Sequence, residues 1–390
     1  MAVTLGSTVL LNSGRLRGKR IGIVSNPASV DHNLQHIVDL ALADETLTVN
    51  ALFGPQHGFR SDVQDNMIET PHGEFEGGRR RIPLYSLYSD TREPTAEMLR
   101  DVDTLVIDLQ DVGTRIYTYM YTMSNSMRAC KRHGVKVIVC DRPNPLGGVA
   151  IEGITLEPGN ESFVGLFAIP TRHGLTMGEL ARLFNKEFGI GADLEVVEMQ
   201  SWSREMYGDD TGLPWVMPSP NIPTLDSAIV FPGTVHIEGT NASEGRGTTR
   251  PFELVGAPWI KAEKFAAALN ARDLPGVYFR PAVFEPTFQK HARVACGGCQ
   301  IHVLDRHAFK PVLTGVALID EMRAADPASF AWKPPPYEYE HDKQPIDVIA
   351  GAKWFREMIS AGERAEAIAK RWDKSVVEFR ARCERYLIYR

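Results

Sequence analysis

The first half of the chain alternates short, almost unbroken apolar runs with segments of helical period, and this most limits what it can fold into. "RIGIVSN" (20–26), "TVNALFG" (48–54), "TLVIDLQ" (104–110) and "VKVIVCD" (135–141) each end in turn or polar residues. Between them, "HNLQHIVDLALA" (32–43), "TAEMLRDV" (95–102) and "YTYMYTMSNSMRACKRHG" (117–134) space their apolar residues as helices do, the last closed by Gly134. Strands apolar on both sides need cover on both faces, and strand–helix alternation makes them parallel with right-handed crossovers. The expected fold class is therefore α/β, a Rossmann-like doubly wound parallel sheet, extended by a helix at 176–189 and a strand at 193–199. The second half, with a strand at 299–305 and helices at 310–325, 345–362 and 364–389, reads as a smaller α+β domain. At roughly 100–200 residues per domain, 390 residues suit two, 1–227 and 228–390, parted near the end of the Pro-rich stretch 213–227.

Composition narrows the partners. Lys and Arg number 43 against 49 Asp and Glu, a net charge of −6, so a broad nucleic-acid-binding face is not expected. No apolar run approaches the ~20 residues of a membrane span, and the first residues lack the basic start and apolar core of a secretory signal. Five sparse cysteines give no disulfide framework, and a cytoplasmic location is the expectation.

In open α/β sheets, ligands bind just past the carboxyl ends of the strands. Four loops lie there: 25–29, 54–62, 108–119 and 141–148. The first contributes Asn26 but holds no glycine, so no dinucleotide fingerprint is present; no phosphate-binding Gly-rich loop occurs elsewhere, and no cofactor is expected. The second presents Gln56 and His57 on a Gly/Pro turn. The third carries Asp108, Asp111, Arg115 and Tyr117, a pattern for acid/base work or for gripping a hydroxylated ligand, in which Asp111 reads equally well as a helix cap. The fourth offers Asp141 and Asn144. Arg172 and His173 precede a helix capped by Thr176 and Glu179.

The densest polar stretch is "EGTNASEGRGTTRPFE" (238–253), with Glu238, Asn241, Glu244, Arg246 and Arg250 among three glycines. Long polar Gly-rich loops in compact domains are functional or disordered, and its charges suit an anionic sugar that its glycines let approach. "CGGC" (296–299) has no second pair at zinc spacing, so two buried cysteines and no metal is the expectation.

The segments "GPQHGFRSD", "LYSLY", "VIDLQDVGTRIYTYMYTM", "DRPNPLGG", "SPNIPT", "FPGTVHIEGTNASEGRGTTRPFELVGAPW" and "YLIY" together resemble the exo-β-N-acetylmuramidase family of glycoside hydrolases. The resemblance implies an active site in a cleft between a Rossmann-like and a smaller domain. It also implies cofactor-free release of N-acetylmuramic acid from the non-reducing ends of peptidoglycan fragments, in cell-wall turnover and recycling. Glu244 and Asp108 are then the candidate acid/base pair, with Asp111 next. Asn221 of "SPNIPT" joins the substrate-binding set, and an arginine is expected on the lactyl carboxylate of muramic acid. Family members commonly carry glutamate where this chain has Gln56, an amide that hydrogen-bonds but does not titrate. Two alternatives follow: a sugar-binding homologue with impaired chemistry, and a metal-dependent hydrolase using Asp108, Asp111 and His57.

Overall fold

A computed structural model describes residues 2–65, 67–77 and 80–390. The apolar runs of the first half become strands of one seven-stranded sheet: β1 (Arg20–Ser25), β2 (Thr48–Gly54), β3 (Gly73–Gly77), β4 (Arg80–Ser86), β5 (Thr104–Asp108), β6 (Lys136–Cys140) and β7 (Leu194–Val197). Their order is β3-β4-β2-β1-β5-β6-β7, with β3 antiparallel to β4 and the other neighbours parallel. The chain leaves β1 toward β2 on one side and reaches β5 on the other, so the strand order reverses at β1. Ser25 pairs with Asp108, which sets the carboxyl ends of β1 and β5 level.

Alternate residues feed two apolar layers. Ile23, Val106 and Ile138 face the helices Gly6–Asn12 and Ile37–Ala43. Leu105, Ile107, Val137 and Val139 face Tyr119–His133 and Met177–Lys186. The expected Rossmann-like α/β layering is what forms, and the capping box of Thr176 and Glu179 is present.

The second half holds an antiparallel sheet of β8 (Leu254–Ala257), β9 (Val277–Phe284) and β10 (Cys296–Val303) in the order β8-β10-β9. Helices Ala262–Asn270, Pro311–Ala325 and Ala365–Cys383 pack with it in the larger apolar core, which runs on without a break into the first half. Three local expectations change. Residues 96–101 form turns rather than a helix. The expected helix 345–362 is broken at Gly351, a left-handed residue (φ 76°), into Pro345–Ala350 and Lys353–Ser360. The last helix stops at Cys383, and the tail docks instead through Tyr389, whose hydroxyl donates to Asp141 at 2.7 Å. No helix among the described residues is long and apolar enough to cross a membrane.

Candidate active site

The turn after β2 and the loop after β5 face residues of the second half across a pocket of about 490 Å³, solvent at its mouth included. In that turn the Gly58 N–H donates to the Pro55 carbonyl, and His57 is held left-handed at φ 72°. The His57 Nδ1–H donates to the Val63 carbonyl at 2.8 Å, so Nε2 is left as an acceptor. Burial lowers the His57 pKa to about 4, and the ring is neutral at pH 7. Gln56 is oriented by the loop after β5. Thr118, at the start of helix Tyr119–His133, does not cap that helix; its hydroxyl donates to Gln56 Oε1 at 2.7 Å. An amide whose oxygen is taken this way turns its N–H₂ outward, and it reaches the Glu338 carboxyl. Tyr117, Tyr119 and Phe252 supply apolar wall, and Asn221 closes one side, exchanging hydrogen bonds with Gln64.

The opposite wall is ionic. Glu238 accepts from Arg246 Nη2 at 2.7 Å and from the Tyr337 hydroxyl at 2.8 Å. Burial alone would raise its pKa, but the Arg246 charge and these hydrogen bonds outweigh that and hold Glu238 below the ordinary glutamate value. Arg246 also sits 3.4 Å from Glu244, whose other oxygen is 2.7 Å from Lys290. Glu338 shows the reverse behaviour. Its carboxyl is 3 % exposed, and burial next to the Glu238 charge raises its pKa to about 7. Tyr88 donates to it at 3.1 Å. Two glutamates on one pocket therefore have their pKa values pushed apart, the arrangement that separates acid from base in glycosidases.

Of the residues expected from sequence, Gln56, His57, Tyr117, Asn221, Glu238 and Arg246 meet in this pocket. Glu244 lines an adjoining hollow behind Glu238. The others are placed elsewhere, each for a visible reason. Asp108 is fully buried and clamped by Arg142 Nη1 at 3.0 and 3.1 Å; the same arginine also ties down the carbonyls of Ala28 and Val30. Asp111 accepts from the Gly113 N–H at 2.7 Å and lies 3.7 Å from His173, a turn contact outside the pocket. Arg115 is wholly buried and donates to the carbonyls of Ile349 and Ala350, closing the end of a helix in the second half. Asp141 accepts from Thr176 and the Gly178 N–H at the start of helix Met177–Lys186.

Asn26 donates to the Pro218 carbonyl and Asn144 to that of Leu175. Arg172 donates to Leu146 and Tyr207, and Asn241 to Ser329. Arg250 pairs with Glu253 at the surface side of the loop. Asp108, Asp111 and His57 do not converge, and among the described residues no three His, Cys, Asp or Glu side chains gather as a metal site would require. The 238–250 loop also differs from expectation: residues 242–247 are buried, and Gly245 and Gly247 turn left-handed (φ 83° and 80°) against backbone atoms of Leu254 and Phe288 rather than facing open space.

Sequence reasoning missed Glu338, Tyr337 and Lys290. The first two follow a run of three prolines in "PPPYEYEHD" (334–342), and Glu338 and Tyr339 are both left-handed (φ 44° and 68°). Non-glycine residues held there are strained, and strain of this kind collects at functional sites. That run was the available signal.

Comparison with known proteins finds matches along nearly the whole chain. The family model described as exo-beta-N-acetylmuramidase NamZ, N-terminal, matches residues 21–226, and its C-terminal counterpart matches 229–389. The chain is 48% identical over 375 residues to the peptidoglycan beta-N-acetylmuramidase NamZ of Bacillus subtilis (strain 168), covering 96% of this chain and 88% of that protein. Two crystal structures of DUF1343 family proteins from Bacteroides fragilis NCTC 9343 are also similar. They have TM-scores of 0.88 and 0.76 at 36% and 26% identity, each covering 100% of this chain and 99% of the other.

Proposed function

The chain belongs to the exo-β-N-acetylmuramidase family and is a glycosidase, and from that premise we propose how its pocket cleaves a terminal β-linked N-acetylmuramyl residue from peptidoglycan fragments. Glu338 is the general acid. Its proton passes to the glycosidic oxygen as the bond to the anomeric carbon breaks, which lets the leaving sugar depart as an alcohol. Glu238, kept ionised by Arg246 and Tyr337, faces the positive charge that develops on the ring and stabilises it while a water molecule bonds to the anomeric carbon and gives up a proton that restores the Glu338 carboxyl. His57 Nε2, neutral and aimed by the Val63 contact, accepts from a sugar hydroxyl. Gln56 steadies Glu338 through its amide while Thr118 fixes its orientation.

The observation that carries this reading is the pair Glu338 and Glu238: two buried glutamates on one pocket, one whose pKa is raised to about 7 and one held below the ordinary glutamate value. It differs from the pair expected from sequence, because Asp108 is clamped by Arg142 away from the pocket and Glu244 lines the adjoining hollow rather than the pocket itself. The test is release of chromophore from an aryl β-N-acetylmuramide. Wild type turns it over, and Glu338→Gln and Glu238→Gln each lose the greater part of kcat while still binding N-acetylmuramic acid. Binding without turnover by the wild type would mark a sugar-binding protein and overturn the proposal.

A further inference from the structure

The arginines that sequence offered for the lactyl carboxylate of muramic acid are already committed. Arg246 lies between Glu238 and Glu244, and Arg250 is paired with Glu253. Lys290 is likewise occupied: it sits 2.7 Å from Glu244 and donates to the carbonyls of Ile237 and Thr240. Lys333 is different. Its half-buried ammonium has no carboxylate within ion-pair distance among the described residues. Its contact is with the Tyr337 ring, 5.7 Å from Nζ to the centroid, a cation–π distance.

Lys333 is also held in place. Its N–H donates to the Gly239 carbonyl at 2.9 Å, and the neighbouring Trp332 bridges to Thr240, so its backbone is fastened to the loop that carries Glu238. The ammonium lines a hollow of about 490 Å³ that shares Glu238 and Tyr337 as a common wall with the sugar pocket. The acids in this hollow have partners of their own: Glu238 has Arg246, Glu244 has Lys290, and Asp65 accepts from the Gln289 amide.

We infer that Lys333 is the residue that reads the carboxylate on the sugar's 3-O substituent, and so separates N-acetylmuramic acid from N-acetylglucosamine. This rests on the proposed pocket. A sugar ring seated against Tyr117 and Glu238 would send a short ether arm past Tyr337 into the adjoining hollow, where an unpaired ammonium meets the only charge that distinguishes the two sugars. A point-charge contact of this kind at a partly open site changes affinity by about tenfold.

The experiment measures binding of N-acetylmuramic acid and of N-acetylglucosamine by calorimetry to wild type, Lys333→Met and Lys333→Arg, so it does not depend on turnover. Lys333→Met weakens the muramic acid about tenfold and the glucosamine less than twofold; Lys333→Arg restores most of the difference. Equal weakening of both sugars, or none, overturns the assignment. Failure of the wild type to cleave the aryl muramide would strike the catalytic reading alone, because the two binding constants would still report on Lys333.

Discussion

Replacing Glu338 by Gln tests the acid assignment through two readouts that move in opposite directions. A carboxyl that titrates at about 7 is half protonated at pH 7, whereas at the ordinary value of 4.5 only about 0.3% would be. The burial and the Glu238 charge that hold this proton therefore supply about 150-fold more acid at neutral pH. In the wild type, kcat/KM falls above pH 7 as Glu338 ionises, and falls again only below the ordinary glutamate range as Glu238 takes up its proton. Glu338→Gln removes the alkaline limb and lowers kcat at least 10²-fold, the usual worth of a general acid.

Stability responds with the other sign. The folded-state pKa is raised, so the fold favours the neutral carboxyl; this contribution is fully present below pH 4.5 and is lost as pH rises to about 7. Above pH 7 the buried carboxylate costs on the order of 3 kcal/mol, from about 1.4 kcal/mol for each of the 2.5 pH units between 4.5 and 7. An amide does not ionise. The variant should unfold at a higher temperature than wild type at pH 8 and show little or no gain at pH 4.5. Thermal unfolding at both pH values, beside a pH–rate profile on the aryl muramide, checks the argument. A variant that keeps activity within tenfold and retains the alkaline limb near pH 7 would refute it.

Three further outcomes follow from the same geometry. Arg246→Met removes the charge that keeps Glu238 ionised, so the acidic limb of kcat/KM moves upward by about one pH unit or more; an unmoved limb would detach Glu238 from the profile. Gln56→Glu sets a second carboxyl against Glu338, and like charges at one site raise the apparent pKa of the pair; the alkaline limb should move above 7, and a limb left in place would deny the Gln56 contact. Asp108→Asn leaves the buried Arg142 guanidinium without its counter-charge, which costs about 3 kcal/mol or more in denaturant unfolding; a large loss of kcat in protein shown to be folded would return Asp108 to the site.

The fold of the first half was legible because its signal is local. Apolar runs such as 104–108 and 137–140 are buried along their length, and strands apolar on both faces call for cover on both. The short elements between β2 and β5 were not legible. In β4, Arg80 and Arg81 are exposed and Pro83 interrupts the run, so neither alternation nor continuous apolarity marks this strand ahead of pairing with β2. The break at Gly351 likewise depends on packing, with the Arg115 guanidinium, from far away in sequence, bonded to the carbonyls just before the glycine.

The rule that ligands sit past strand ends selected four loops, and two of them line the pocket. At the end of β1 and β5, where the order reverses, Arg142 ties Asp108 to the carbonyls of Ala28 and Val30 and lines a separate hollow of about 810 Å³, solvent at its mouth included. A carboxylate at a strand end is thus an equal candidate for ligand contact and for an internal ion pair, and residue type alone does not separate them. Glu338 shows the converse. Its surroundings are assembled from Gln56 on a turn after β2, Tyr88 beyond β4, and Glu238 from the second half. None of these is near it in sequence, and the property that suits it to chemistry, a proton retained near neutral pH, belongs to the assembled site rather than to the residue. The local trace was conformational: a glutamate and a tyrosine held in succession at positive φ behind three prolines. Replacing Glu338 by Gly would relieve that strain and delete the carboxyl together, so a fold made more stable and an enzyme made inactive by one substitution is the pairing that a strained catalytic residue demands.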